Sequence, residues 1–180
     1  MTIDSWKRES VALLIKEGLT ASPALDVRLL IEMVTGLDYT EQVLLYQRLL
    51  NDDEIVALES VRAKRLDHMP MAYIRGFKEF YGRRFAVDER VLIPRSDTET
   101  LVEAVLSFAH GKDEDTLGPI IDVCTGSGAV GITIACELGM PVTLSDKSSD
   151  ALAVADANAR ALYGSPLPLV EDDLLYNRDE

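Results

Sequence analysis

The 180-residue chain is poor in cysteine and histidine, with two residues of each. Two cysteines cannot build the disulfide framework of a small secreted domain, and Cys124 and Cys136 form no Cys-x-x-Cys pair. Both stand among apolar residues, which predicts two reduced, buried thiols. His68 and His110 lie far apart in sequence, so the chain offers no typical zinc-site spacing and we expect no metal ion.

Long apolar runs and positive charge are also scarce. No apolar run approaches the roughly 20 residues of a membrane-spanning helix, and no secretory leader pattern opens the chain. Lysine and arginine number 18 against 31 aspartates and glutamates, which gives a formal net charge of −13 at pH 7. Such a surface is a poor partner for phosphate backbones. We therefore expect a cytoplasmic protein that binds neither membrane nor nucleic acid directly.

Helical periodicity dominates residues 1–68. Ser22-Pro23 has the pattern of a helix start, with proline at the first helical position. Thr40 is a candidate cap for a third helix, and Asn51 begins a capping-box pattern. Short amphipathic helices at this density predict a small helical bundle.

The character of the sequence changes over residues 69–93. The aromatic, β-rich segment 77–88 has Gly82 near its middle, which predicts a β-hairpin within a linker. A capping-box pattern of Ser96 and Glu99 then predicts the start of another helix.

Residues 94–180 show the alternation of an α/β domain. The segments are a strand at 120–124, a helix at 129–138, a strand at 142–145, a helix capped by Ser149 and a strand at 167–170. Alternation of this kind predicts a parallel sheet with helices on its faces, as in Rossmann-like folds.

A glycine loop follows the first of these strands. Gly126-x-Gly128-x-x-Gly131 stands directly after a strand and before a helix, where the glycines permit a tight turn and a close ligand. Asp146 ends the next strand, at the position where an acid accepts hydrogen bonds from ribose hydroxyls. These features fit either a dinucleotide or S-adenosylmethionine.

Two further acids favour S-adenosylmethionine. Asp122 lies inside the strand, where its carboxylate would repel a pyrophosphate but attract the ammonium of an amino acid. Asp173 follows the third strand and could accept from an adenine amino group. The plainer alternative is that Asp146 and Asp173 only cap helices in an ordinary α/β domain.

The chain resembles the HemK/PrmC family, protein-(glutamine) methyltransferases that act on peptide-chain release factors. The matching segments are Phe80-Tyr81-Gly82, Phe85-x-Val87-Asp88, Val91-Leu-Ile-Pro-Arg95-Ser-Asp97-Thr98-Glu99 and Asp122-x-x-Thr-Gly-Ser-Gly128. The Ile-Pro-Arg-x-Asp-Thr-Glu segment is much more specific than the glycine loop, and the resemblance covers nearly all of the chain.

The resemblance implies a class I S-adenosylmethionine-dependent methyltransferase fold after the helical domain. It implies methylation of the glutamine in the Gly-Gly-Gln motif of a release factor, with S-adenosylhomocysteine as product and the helical domain helping to recognise the release factor. The cofactor contacts that it implies are Cys124, Thr125, Gly126, Ser127, Gly128 and Asp146, with Asp173 and Leu174 nearby.

The chain also departs from the family pattern. Cys124 stands where many class I methyltransferases have the first glycine of the loop, and Ser96 replaces a common proline. The family's catalytic Asn-Pro-Pro-Tyr motif does not occur in the 180 residues, so no residue is assigned to hold the target amide. We therefore expect this chain alone to be inactive, and its three-stranded sheet to expose an edge.

Two other functions remain open at this point. An adenine-modifying nucleic-acid methyltransferase shares the same type of catalytic motif, but the charge of −13 and the lack of a basic groove count against it. A non-catalytic module could bind the release factor or S-adenosylmethionine without turnover. Reading the gene beyond codon 180 for Asn-Pro-Pro-Tyr would separate these functions.

Overall fold

The structure, a computed structural model, describes residues 1–174 of the chain. A helical N-terminal region precedes a small sheet with parallel strands, as the α/β fold class requires. The chain divides into two compact units, Met1–Arg75 and Gly76–Glu180. Each unit has its own apolar core. The division falls inside the segment 69–93 that the sequence assigns to a linker.

The first unit is built from helices. They are α1 (Ile3–Glu17), α2 (Pro23–Thr35), α3 (Tyr39–Leu44), α4 (Asp52–Leu66) and α5 (Met71–Arg75). Their amphipathic stripes meet around fully buried side chains of Trp6, Leu14, Leu30 and Leu58.

Local side-chain bonds set where these helices begin. The capping box predicted at Asn51 is confirmed: its side chain accepts from the Glu54 amide at 2.8 Å, and the Glu54 carboxylate accepts from the Asn51 amide at 3.0 Å. The prediction that Thr40 caps α3 is wrong, because Asp38, two residues earlier, is the cap and forms the same reciprocal pair with Glu41. Thr40 lies within the first turn of α3.

A buried ion pair crosses the first unit. The Nε of Arg65 on α4 donates to Oδ2 of Asp26 on α2 at 2.8 Å, and each side chain is only 10% exposed. Arg65 also donates to the carbonyl of Leu19 at 3.2 Å. A charge in such a place requires its partner, because burial removes the water that would otherwise solvate it.

The second unit begins with a hairpin and continues as a β-α-β-α-β succession. Its elements are β1 (Phe77–Phe80), β2 (Arg83–Ala86), a 3-10 turn (Ser96–Thr98), α6 (Glu99–Ala109), α7 (Glu114–Leu117), β3 (Ile120–Val123), α8 (Ala129–Leu138), β4 (Val142–Asp146), α9 (Ser149–Leu162) and β5 (Leu169–Glu171). The hairpin pairs β1 with β2, and β3, β4 and β5 form a parallel sheet in that order. Parallel pairing brings the carboxyl ends of these three strands to one edge.

The hairpin contributes directly to the core of the second unit. Phe80 and Phe85 are buried and meet edge to face, with ring centroids 6.1 Å apart. Both belong to the apolar cluster that includes Ile132 on α8 and Leu144 on β4. The hairpin therefore packs as part of the second unit.

Three predicted boundaries in this unit are wrong by a few residues. The side chain of Ser148, and not Ser149, accepts from the Ala151 amide and caps α9. Ser96 begins a 3-10 turn and does not cap α6. The Glu99 carboxylate accepts from the Tyr81 amide at 2.9 Å and does not bond back to Ser96. The third strand starts at Leu169 and not at 167, and the preceding residue Pro168 has no N–H to give to a ladder.

Over residues 1–174, no helix combines the length and the apolar character needed to cross a membrane. The same described range holds no group of three or more histidine, cysteine or acidic side chains arranged to bind a metal ion.

The buried ion pair gives a stability prediction. Asp26→Ala leaves the Arg65 guanidinium buried without its counter-charge, so we expect the free energy of unfolding to fall by about 3 kcal/mol or more. Trp6 is the only tryptophan and is fully buried, so its fluorescence during urea denaturation reports on the first unit. Arg8→Ala, which removes the exposed pair with Asp4, is the control and should cost less than about 1 kcal/mol. Equal losses for the two variants would contradict the prediction.

Candidate functional site

The loop between β3 and α8 has a strongly constrained backbone. Cys124, Gly126 and Gly128 have φ angles of 60°, 56° and 80°, all in the left-handed region. The Thr125 amide donates to the carbonyl of Ser145 at 2.9 Å, which anchors the loop on β4. Cys124 is the one side-chain-bearing residue of these three, and an L-residue in this conformation costs roughly 1–2 kcal/mol.

The three glycines of the loop serve different purposes. A Cβ at Gly131 would lie 2.4 Å from Cδ2 of Leu144 and 2.8 Å from Cβ of Asp122, so this glycine lets α8 pack closely on the sheet. A Cβ at Gly128 would lie 2.4 Å from Cδ1 of Ile132, so any side chain there would force Ile132 to move. A Cβ at Gly126 meets nothing within 4 Å. Gly126 is thus the glycine that leaves room for a ligand.

Asp122 is a constrained carboxylate at the end of β3. Its Oδ2 accepts from the Thr125 hydroxyl at 2.6 Å and from the Gly131 amide at 2.9 Å. Burial raises the pKa of Asp122 above its usual value, and the charge of Asp146 raises it further, while the two hydrogen bonds act in the opposite direction. A cation placed beside Asp122 would therefore relieve an unfavourable charge.

Asp146 ties the end of β4 to the glycine loop. Its Oδ2 accepts from the Gly126 amide at 2.9 Å, and its Oδ1 accepts from the Ser148 amide at 3.0 Å. The acid therefore has a structural role, as the plainer alternative supposed, and it holds the Gly126 turn as well as the amide of Ser148 at the start of α9. Each carboxylate oxygen has a second lone pair, so both can still accept from a ligand hydroxyl.

Asp173 and Leu174 follow β5 and are exposed. Their neighbour Asp172 is buried, and its amide donates to the carbonyl of Asp146 at 3.1 Å. The ends of β4 and β5 are thereby joined. Asp173 and Leu174 do not line the pocket at the loop.

A pocket of about 150 Å³ opens beside the loop. It brings together several predicted residues, namely Asp122, Cys124, Thr125, Gly126 and Ser127. Asp146 is outside this lining and acts on the loop through the Gly126 amide. Gly128 is also outside it, so the pocket brings together five of the nine residues predicted to contact a cofactor.

The pocket also includes residues to which the sequence assigned no role. Phe80 from the hairpin and Leu92, Ile93, Pro94, Arg95 and Thr98 form its other side. They lie in the segments that carry the family resemblance, and that resemblance was the sequence signal that could have assigned them to the site. The hairpin is thus a wall of the candidate site.

The expectation that both cysteines are buried is wrong. Cys124 is exposed at the pocket, and Cys136 is half-buried, with its Sγ 3.7 Å from the carbonyl of Leu162. Both thiols are free. Cys124 has a left-handed backbone and lies on the pocket side of the loop.

Comparison with known proteins identifies the family behind these features. The PrmC N-terminal domain matches residues 6–76. The chain is 43% identical to the release factor glutamine methyltransferase of Chlorobaculum tepidum over 142 residues, which is 77% of this chain and 48% of that protein. The chain matches the N-terminal portion of the PrmC family.

Other similar proteins give a consistent result. The release factor glutamine methyltransferase of Neisseria gonorrhoeae is 39% identical over 165 residues, covering 90% of this chain and 54% of that protein. A bifunctional methyltransferase of Rickettsia typhi is 36% identical over 76% of this chain and 29% of its own length. The chain spans about half the length of the release factor glutamine methyltransferases that it matches.

The raised pKa of Asp122 gives a pH prediction. The folded state holds this proton more tightly than the unfolded state, so Asp122 costs stability as the pH rises from its usual pKa of 3.8 through the raised value. Asp122→Asn keeps an oxygen to accept from Thr125 and Gly131 but carries no charge. The free energy of unfolding of the variant minus that of the wild type should therefore increase as the pH rises from about 4 to about 7. Urea denaturation followed by circular dichroism measures this difference. A difference that stays constant or shrinks with pH would show that the pKa of Asp122 is not raised in the folded state.

Proposed function

We propose that this chain is the N-terminal part of an S-adenosylmethionine-dependent release factor glutamine methyltransferase. The observation that carries the proposal is the pocket in which the Asp122 carboxylate, the open Gly126 turn and the segment around Arg95 face one another. The names of the similar proteins support the same activity.

The amino-acid end of the cofactor would lie beside Asp122. Oδ2 of Asp122 takes both of the hydrogen bonds described above, which leaves Oδ1 for the cofactor's ammonium group. The ammonium would compensate the charge that burial penalises. The open turn at Gly126 would let the ligand approach the backbone of Cys124, Thr125 and Ser127.

The nucleoside end would extend along the carboxyl edge of the sheet. Asp146 would accept from the ribose hydroxyls with the lone pairs that the Gly126 and Ser148 amides leave free. Asp173 and Leu174, exposed at the end of β5, would contact the adenine. Strand-end acids in this order match a ligand with an ammonium, a ribose and an adenine.

The acceptor would approach next to the cofactor pocket. A second hollow, of about 730 Å³, shares Leu92, Ile93, Pro94 and Arg95 with that pocket and adds Lys78, Ser96 and Asp97. We place the Gly-Gly-Gln loop of the release factor here, and the helices of residues 1–68 would help to recognise the rest of the release factor. When bound, S-adenosylmethionine supplies the methyl group to the glutamine nitrogen and leaves as S-adenosylhomocysteine.

Turnover would require groups that the 180 residues lack. The sequence holds no Asn-Pro-Pro-Tyr motif to fix the target amide nitrogen, and catalysis by positioning depends on that contact. The 180-residue chain should therefore transfer no labelled methyl group from S-adenosylmethionine to purified release factor. Methylation clearly above that of a no-enzyme control would mean that another segment holds the acceptor.

The ribose contact can be separated from the structural role of Asp146 by a ligand–residue cycle. Wild type should bind 2′-deoxy-S-adenosylhomocysteine roughly 10- to 150-fold more weakly than S-adenosylhomocysteine, since one hydrogen bond to a charged group is lost. Asp146→Ala should bind both ligands equally, because the acceptor is gone. Asp150→Ala, an exposed acid in the first turn of α9, should keep the wild-type discrimination. Calorimetric titration measures all three proteins, and a wild type that binds both ligands alike would remove the ribose assignment.

A further inference from the structure

Asn158 on α9 is a buried polar residue outside every motif described above. Only 2% of it is exposed, and both the oxygen and the nitrogen of its carboxamide are hydrogen-bonded. Oδ1 accepts from the Ala86 amide at 2.8 Å, while Nδ2 donates to the carbonyls of Ala86 at 3.0 Å and Ser127 at 2.9 Å. Both amide hydrogens of Asn158 and one lone pair of its oxygen are therefore engaged, all by two backbone segments.

One of these segments, at Ser127, lines the proposed cofactor pocket, and the other, β2, pairs with the strand that carries Phe80 into it. Ala86 ends β2, and Asn158 engages both its N–H and its C=O, as a neighbouring strand would. Ser127 is buried between Gly126 and Gly128 in the left-handed turn. One side chain therefore joins the hairpin wall to the glycine loop.

The local sequence of α9 allows this approach. Ala155 and Ala159, which flank Asn158 on the buried side, are both fully buried and small. The hairpin is also held near its turn, where the Tyr81 amide donates to the Glu99 carboxylate at 2.9 Å. Phe80, which faces the pocket, is thus fixed from two directions.

We propose that Asn158 is a positioning residue for the cofactor site. By holding the Ser127 carbonyl it fixes the turn at Gly126 and Gly128, and by holding Ala86 it fixes the hairpin wall against that turn. Asn158 is not itself part of the pocket lining and acts through the backbone of Ser127 and Ala86. This inference rests on the proposed cofactor function of the pocket.

Substitutions at Asn158 test the donors separately from general stability. Asn158→Asp keeps the shape but turns a carboxylate toward two carbonyls, and Asn158→Ser is a milder variant if the first does not fold. Val154→Ala is the matched control, because Val154 is buried on the same helix but forms no such bond to the loop. For each protein we would measure the melting temperature, the affinity for S-adenosylhomocysteine by calorimetry, and amide hydrogen exchange at Gly126 and Gly128.

The expected result is a loss of S-adenosylhomocysteine affinity of about tenfold or more in the Asn158 variants, with faster exchange at Gly126 and Gly128. Val154→Ala should lower the melting temperature but leave affinity and loop exchange unchanged. Wild-type affinity in the Asn158 variants, or an equal loss in Val154→Ala, would overturn the proposal. If the wild type binds no S-adenosylhomocysteine, the proposed function fails. Amide hydrogen exchange at Gly126 and Gly128 then tests the positioning role by itself, and unchanged exchange in Asn158→Ser would overturn it.

Discussion

The candidate site depends on hydrogen bonds that carboxylates at strand ends accept from the backbone of the glycine loop. Asp122 holds the Gly131 amide and Asp146 holds the Gly126 amide, each at 2.9 Å. These bonds are charge-assisted, so they are stronger than neutral ones and can keep a left-handed turn in place. The same oxygens that shape the loop also make its surroundings negative.

The negative surroundings limit what the pocket can bind. Two nearby carboxylates, one with a raised pKa, disfavour a pyrophosphate and favour a ligand that brings a positive charge. S-adenosylmethionine carries an ammonium and a sulfonium, and both would be attracted by such a site. The loop geometry and the charge therefore both support the S-adenosylmethionine site that we propose, although either alone would fit several ligand classes.

The parts of the structure that depend on short sequence distances could be predicted. The capping box at Asn51 is fixed by residues three apart, and the glycine loop with its strand-end acids follows from the β-α-β pattern. The cap of α3 was misplaced because Asp38 and Thr40 are both suitable caps two residues apart, and only the reciprocal bond with Glu41 selects Asp38.

Features built from distant residues could not be predicted. Asn158 is separated by 72 residues from Ala86 and by 31 from Ser127, and one asparagine within an amphipathic helix gives no local signal of either bond. The place of the hairpin in the pocket wall could not be predicted for the same reason, since Phe80 and the glycine loop are distant in sequence and meet only in the folded unit. The bond that Asp146 accepts from the Gly126 amide also escaped prediction, because it requires the loop to turn back toward β4.

The most direct test of this account is a titration of ¹⁵N-labelled protein with S-adenosylhomocysteine, followed by amide chemical shifts. A cofactor pocket at the carboxyl ends of β3 and β4 predicts the largest shift changes at Gly126, Ser127 and Gly128. Saturating ligand that leaves these amides unmoved, or that shifts residues 1–75 most, would contradict it.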